Sequence, residues 1–169
     1  MRPERTFTPI DFAAWPRRET FYYFSKMAPT GYSLTVDLDA TRLFRTLKAA
    51  NCRLFPAYLW LVTRNLQRQE EFCLAERDGI LGKAGETPPP NAYTVSCLPW
   101  VSFRHFAVHS YEKQPYLLPS VESGRLRREG ERLLLPFSLT VHHAAVDGWQ
   151  VHQFLTALQK DMDRFRDFL

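Results

Sequence analysis

The sequence predicts an α/β fold, a two-layer sandwich in which a mixed β-sheet is covered by helices. Three observations carry this expectation. Residues 31–39, GYSLTVDLD, alternate as a strand with Tyr32, Leu34, Val36 and Leu38 on one face. Two stretches beyond it repeat apolar residues at helical spacing. Near the C-terminus an apolar run, LLLPFSLTVHH, passes directly into an amphipathic helix. The 169 residues suit one domain, long enough to bury a core without disulfides or metals.

The elements follow in order. Residues 7–29 mix Pro, Trp, Arg and aromatics and read as an irregular lead-in with a short helix at 18–24. After the strand at 31–39, Asp39 and Thr41 are helix-start candidates for ATRLFRTLKAAN, in which Leu43, Leu47 and Ala50 recur at helical spacing. A second, more apolar helix covers 54–72, with Pro56 in its first turn, where a missing N–H costs little. ERDGILGKAGETPPPNAY reads as a loop, with Asp78-Gly79 ahead of two more glycines and three prolines. Residues 92–111 read as strand, turn at Pro99, and strand. Residues 115–143 read as two strands joined by a tight turn at Glu129-Gly130. The tail helix carries Val151, Phe154, Leu155, Leu158 and Met162 as its stripe.

Composition narrows the function classes. Hydrophobic residues make up 45% and charged residues 24%, a globular balance rather than a disordered one. Net charge is +4, but the basic residues are scattered and the longest basic run, RLRREGER, is short. That pattern argues against a nucleic-acid surface and suits a phosphate-bearing small molecule. Cys52, Cys73 and Cys97 are odd in number, far apart and outside any C-x-x-C, so neither a disulfide framework nor a zinc ribbon is expected. The start MRPERTFTPIDF has no apolar leader core and no apolar run spans a bilayer, so no membrane is expected and the expected location is cytoplasmic.

The chemistry concentrates in TVHHAAVDGWQVHQF, residues 140–154. Neighbouring side chains on a strand point to opposite faces, so His142 and His143 cannot enter one site. One faces a pocket and the other the packing layer, which makes them a poor metal pair. His105 and His109, at i and i+4, have no third ligand nearby in sequence, and no metal is expected. Asp147 follows His143 by four residues, and Gly148 permits a tight turn. From spacing alone Asp147 can cap the tail helix, orient an imidazole, or hold the turn by pairing with an arginine.

HHAAVDG is similar to the H-H-x-x-x-D-G signature of coenzyme A-dependent acyltransferases. The blocks AAWPRRETFYYF, GYSLTVDLD, FPAYLW, SCLPWVSF and EGERLLLPFSLTVHHAAVDGWQVHQF resemble the chloramphenicol acetyltransferase family, in the same order, from about Phe12 onward. The resemblance implies acetyl transfer from acetyl-CoA to a small-molecule hydroxyl acceptor such as chloramphenicol, in a homotrimer tied to antibiotic resistance. It implies His143 as the base that takes the acceptor's proton, and Ser96 as the hydroxyl that hydrogen-bonds the oxyanion. His142 is then a packing neighbour. It makes Asp147 a structural brace paired with Arg17, with Arg18 the less suited partner. Tyr23, Phe24, Thr30 and Phe106 fall on acceptor-binding positions, and Trp100 and Arg125 on coenzyme-binding ones. In such a trimer each site lies between subunits, with His143 from one and much of the acceptor pocket from its neighbour.

The chain also departs from the family. It reads as a single acyltransferase-like domain, residues 1–169, shortened around 79–92, where GKAGETPPPNAY bridges directly to SCLPW. The family's aromatic clamps on the chloramphenicol ring have no counterpart, and Glu122 stands where the family has a threonine near the reaction centre. The alternative expectation is a catalytically inactive, shortened relative that serves as an oligomeric or ligand-binding protein.

Overall fold

The computed structural model describes residues 7–77, 79–84, 94–109 and 116–169. Its main sheet has five strands: β2 (Gly31–Asp39), β5 (Thr94–Cys97), β6 (Ser120–Ser123), β7 (Arg127–Glu129) and β8 (Arg132–His142). They run in the order β2-β8-β6-β5, with β7 also on β8. Only β5–β6 is parallel, so the sheet is mixed. β8 is the central strand and pairs with all nine residues of β2, from Gly31 opposite His142 to Asp39 opposite Leu134.

One face of this sheet is apolar. Leu135, Phe137, Leu139 and Val141 of β8 join Leu38 of β2 and Val121 of β6 in the core. Helices α2 (Thr41–Ala49), α3 (Leu54–Leu66) and α4 (Gly148–Asp163) cover them. α4 contributes Val151, Phe154, Leu158 and Met162, four members of the stripe that the spacing predicts, and Leu155 packs partly buried at its margin. A buried Asp161 on α4 ties the helices together. It accepts from Arg68 Nη1 at 2.9 Å and from Asn65 Nδ2 at 3.2 Å.

The other face is polar. The register sets Thr94, Ser120, Thr140 and Ser33 in one row and Ser96, Glu122, Ser138 and Thr35 in the next. Residues 98–109 cross this face without forming the strand that the sequence predicts. Leu98 N donates to Ser123 O at 2.7 Å and Val101 O accepts from Arg125 N at 2.8 Å, but Phe106 bonds to side chains: its N donates to Thr35 Oγ1 at 3.3 Å, and its O accepts from Ser138 Oγ at 2.5 Å. An extended segment lying across strands cannot join their ladder. A Cβ on Gly124 would meet Phe103 Cε1 at 2.9 Å, so this glycine lets the crossing segment approach the β6–β7 break.

Three further expectations are corrected. The helix from Leu54 ends at Leu66, and Glu70–Cys73 is a separate 3₁₀ turn. The strand before Glu129-Gly130 is broken into β6 and β7, although the turn itself forms, with Gly130 at φ 57°. The expected loop begins as a hairpin of β3 (Leu74–Arg77) and β4 (Ile80–Ala84), with Gly79 at φ 78° in the turn. With β1 (Phe7–Pro9) they form a second sheet, β1-β4-β3. Leu74, Ala75 and Leu81 are buried there, which the charged and glycine-rich surroundings conceal in the sequence. The expected bridge at 85–93 lies outside the described residues.

Phe154 is fully buried, 5.3 Å from the Phe72 ring and 6.0 Å from Phe137, where α4 meets β8. Phe154→Ala is expected to lower stability by about 3–5 kcal/mol in urea unfolding. A loss below about 1 kcal/mol would contradict this packing.

Candidate active site

The site grows from the end of β8. Ala145 N and Val146 N both donate to His142 O, each at 3.0 Å, which folds residues 142–146 into a tight turn before α4. Asp147 closes the turn with both of its oxygens. Oδ1 accepts from Trp149 N at 2.9 Å, while Gln150 Oε1 accepts from Asp147 N at 3.1 Å, a reciprocal helix cap. Oδ2 accepts from Arg17 Nη1 at 2.7 Å. Capping and arginine pairing, alternatives on spacing alone, therefore coexist on different atoms. The contact to Arg17 is single rather than forked. Arg18 turns away and donates to Ala13 O at 3.2 Å. Partial burial pushes the Asp147 carboxyl up, but the hydrogen bonds from Arg17 and Trp149 outweigh it and hold the group below its usual range.

Arg17 directly precedes α1 (Arg18–Tyr22), whose chain continues into a π turn at Tyr23–Met27. That wide turn lays Phe24 over the His143 ring, with centroids 4.0 Å apart and planes 28° apart. Tyr23 stands edge-on to Phe24 at 5.0 Å and is itself exposed. Thr30 takes the backbone N–H of His143 on its carbonyl at 2.8 Å. Tyr32 meets the His143 ring edge-on at 5.4 Å, and its hydroxyl donates to Val146 O at 3.5 Å. Burial and the Asp147 charge push the Tyr32 phenol up to about 12, with Arg17 pulling it back, so it stays a neutral donor.

The two histidines hold their protons on different atoms. His143 Nδ1 lies 3.2 Å from Val146 O, an oxygen that can only accept. Nδ1 therefore carries the hydrogen, and in the neutral ring the lone pair is on Nε2. His142 Nδ1 accepts from Ala144 N at 3.2 Å, which places its proton on Nε2. Burial and the neighbouring His143 lower the His142 pKa, so this ring is a neutral donor. The reading of His142 as a packing neighbour is corrected: its side chain lines a cavity on the polar face.

That cavity, about 550 Å³, is also lined by Ser25, Thr30, His105, His109 and Thr140. The Ser25 hydroxyl is buried in it and has no partner among the described residues. Phe106 crosses the same face. Trp100 and Arg125 meet in a separate cleft of about 480 Å³ with Tyr58, Cys97 and Ser123. Trp100 is 82% exposed there. Ser96, on β5, is not brought to His143. It shares a row with Ser138, and His142 lies four residues further along β8. Four residues advance a strand by ~13 Å, and β5 lies two strands away, a further ~10 Å. Sequence reasoning missed Tyr32 and Ser25 as site residues. Both sit in patterns that read as ordinary core, and only the fold brings them to the turn and the cavity.

Among the described residues no group of three His, Cys, Asp or Glu side chains could hold a metal, and no helix is long and apolar enough to cross a membrane. A family model described as chloramphenicol acetyltransferase matches residues 5–89 and 83–159. The chain belongs to the chloramphenicol acetyltransferase family. A chloramphenicol acetyltransferase of Streptomyces acrimycini is 29% identical, with the match covering 93% of this chain and 94% of the relative. One of Campylobacter coli is 30% identical, covering 90% and 97%. The Streptomyces alignment runs over 208 positions against 169 residues here, so the family member carries stretches that this chain lacks. A solved chloramphenicol acetyltransferase superposes with a TM-score of 0.83 over 94% of this chain and 99% of that one, at 20% identity, a shared fold.

Arg17→Ala is expected to cost about 1–2 kcal/mol at neutral pH, a charged hydrogen bond discounted for the partly exposed carboxylate. The folded Asp147 has a depressed pKa. Its stabilisation is therefore present above the ordinary aspartate range and is lost as pH falls through the lower folded value. Calorimetric Tm between pH 3 and 7 should show a weaker acid-side fall in the variant than in the native protein. Parallel curves would contradict the pairing.

Proposed function

We propose that the protein is an acetyl-CoA-dependent O-acetyltransferase whose acceptor is chloramphenicol or a similar hydroxyl compound, with His143 as the general base. The observation that carries this reading is the His143 tautomer. With Nδ1–H given to Val146 O, Nε2 is the nitrogen that carries the lone pair of the neutral ring. The names of the family's members supply the acyl chemistry.

In this mechanism Nε2 takes the proton of the acceptor hydroxyl as its oxygen attacks the thioester carbonyl. The carbonyl oxygen becomes an oxyanion, to which the Ser96 hydroxyl donates. Collapse breaks the carbon–sulfur bond, and the imidazolium returns its proton to the departing CoA thiolate. No acyl-enzyme forms. The Nδ1–H bond to Val146 O strengthens while the ring is charged, and the Phe24 face offers the cation a π surface. The same base donates and withdraws without moving, because Phe24 and Tyr32 hold the ring on two sides.

The cleft of Trp100 and Arg125 suits the coenzyme: an exposed indole for a flat or apolar group and a cation for a phosphate. Thr30 holds the His143 backbone and lines the neighbouring cavity, Phe106 crosses the same face, and Phe24 and Tyr23 stand beside the base. The ~13 Å and two strands between the rows of His142 and Ser96 support a homotrimer in which the His143 of one subunit works against the Ser96 of its neighbour. Arg17 and Asp147 act through the turn and touch no substrate.

Release of CoA thiol from acetyl-CoA with chloramphenicol tests the reading. His143→Ala is expected to lose at least ~100-fold in turnover with an unchanged circular dichroism spectrum. Turnover equal to the native protein would remove His143 as the base. Absence of CoA release with every hydroxyl acceptor would favour an inactive, ligand-binding relative. The mass in solution is expected to be that of three chains. An active monomer would refute the composite site.

A further inference from the structure

The cysteines are free, and they differ in setting. Cys52 is exposed between α2 and α3, and burial pushes the Cys73 thiol up, which leaves it little thiolate. Cys97 is half-buried on β5 and lines the cleft of Trp100 and Arg125. Strand alternation turns it to the opposite face from Ser96, its neighbour in sequence. The register pairs it with Ser123 of β6, which also lines the cleft.

The floor of this cleft carries an unsatisfied group. Tyr58 is only 3% exposed, and its hydroxyl is sealed from solvent with no partner among the described residues. Burial keeps the phenol protonated, and a charge on Cys97 raises it further, so the hydroxyl lies within electrostatic reach of the thiol. Ser123 is near enough to oppose that rise, but its own hydroxyl donates to Ser96 O at 3.5 Å. A buried hydroxyl that keeps its proton and has no acceptor marks a place where a ligand supplies one. Toward solvent stand the exposed Trp100 indole and the exposed Arg125 guanidinium. The cleft thus offers a cation and an aromatic wall outside, and a hydroxyl donor and a thiol within. That sequence of groups fits a phosphate-bearing molecule with an amide-containing arm that ends in sulfur.

We propose that Cys97 is a modification site, which undergoes thiol–disulfide exchange with a disulfide of the coenzyme A type and so holds the coenzyme's arm bonded to Cys97 Sγ inside the cleft. The Cys97 thiolate attacks one sulfur of the disulfide. The old S–S bond breaks as the new one forms, and the other half leaves as a thiolate that takes up a proton in place of the one Cys97 released. Cys97 is oxidised, the departing sulfur is reduced, and no other oxidant is consumed. Arg125 takes a phosphate of the incoming disulfide, and the Tyr58 hydroxyl donates to an amide carbonyl of its arm. A small neutral disulfide gains nothing from Arg125, so the site selects by charge. The inference rests on the coenzyme-cleft reading for its consequence, that the adduct stands in the place of acetyl-CoA and stops turnover. It rests on the cleft alone for the adduct.

Intact mass and peptide mapping decide the adduct without any turnover. Native protein treated with CoA disulfide is expected to gain one coenzyme on the Cys97 peptide, removed by dithiothreitol. Cys97 should react at least ~10-fold faster with CoA disulfide than with neutral hydroxyethyl disulfide, while the exposed Cys52 of the same chain shows no such preference. Arg125→Ala is expected to cut the preference at Cys97 below ~3-fold. Tyr58→Phe, which removes only the hydroxyl, should slow labelling of Cys97 by ~3-fold or more and leave Cys52 unchanged. A coenzyme on Cys52 instead of Cys97, the same preference at both, or a preference that survives Arg125→Ala would overturn the proposal. An unchanged rate in Tyr58→Phe would remove that hydroxyl from it. For the consequence, labelled native protein freed of reagent should lose acetylation of chloramphenicol in step with the adduct and regain it after reduction. Treated Cys97→Ser should match its own untreated rate. Full labelling with undiminished turnover would overturn the blockade. A native protein without turnover before treatment would defeat the acetyl-transfer reading, and the mass would still decide the adduct.

Discussion

The turn between β8 and α4 depends on one carboxylate. Asp147 gives one oxygen to the first turn of α4 and the other to Arg17, and so joins the C-terminal helix to the N-terminal lead-in across 130 residues of chain. A cap alone would fix where α4 starts. An ion pair alone would hold two segments near each other. Together they fix the direction in which the chain leaves β8, and with it the carbonyl of Val146. That carbonyl takes the His143 Nδ1 hydrogen, and the Tyr32 hydroxyl reaches it as well. The tautomer of the imidazole is thus set by a backbone oxygen whose position is set by an ion pair that never meets it.

The same turn gives two adjacent histidines opposite tautomers. Strand alternation sends His142 to the polar face and His143 to the side of Phe24 and Tyr32. Their backbone surroundings then choose opposite tautomers, because His143 meets a carbonyl and His142 meets an N–H. Two identical side chains thus take different tautomers from one peptide turn.

The strand at 31–39 and the helix from Gly148 were legible because each has one apolar face and one polar face, so its period survives in the sequence. The divergence of His142 and His143 was legible for the same reason. Their destinations were not, since alternation says that two side chains part and not which neighbour each one finds. β4 was hidden: ILGKA carries a glycine and a lysine, and its burial comes from β1 and β3, which local pattern does not reveal. Residues 101–109 read as a strand, yet Phe106 at their centre gives its backbone N–H and C=O to the side chains of Thr35 and Ser138. Arg17 over Arg18 followed from resemblance, and the structure supplies the physical reason: Arg18 starts a helix that turns it to the surface.

The polar face of the main sheet explains why a shortened chain can keep this architecture. The apolar face already supplies the core, closed by α2, α3 and α4 on β8 and its neighbours. The family model is matched in two stretches that overlap at 83–89, at the end of β4. β5 is the outermost strand on that side, held by one parallel partner. Length removed ahead of an edge strand costs no central ladder and leaves the β8 turn, its cap and Arg17 intact. The polar face is covered in another way. There the chain lays residues 98–109 directly over a row of serines and threonines, and a carboxyl group ends up sealed in the row of Ser96. The fold is therefore insulated from the shortening by its apolar face, and the chemistry is exposed to it through the polar one.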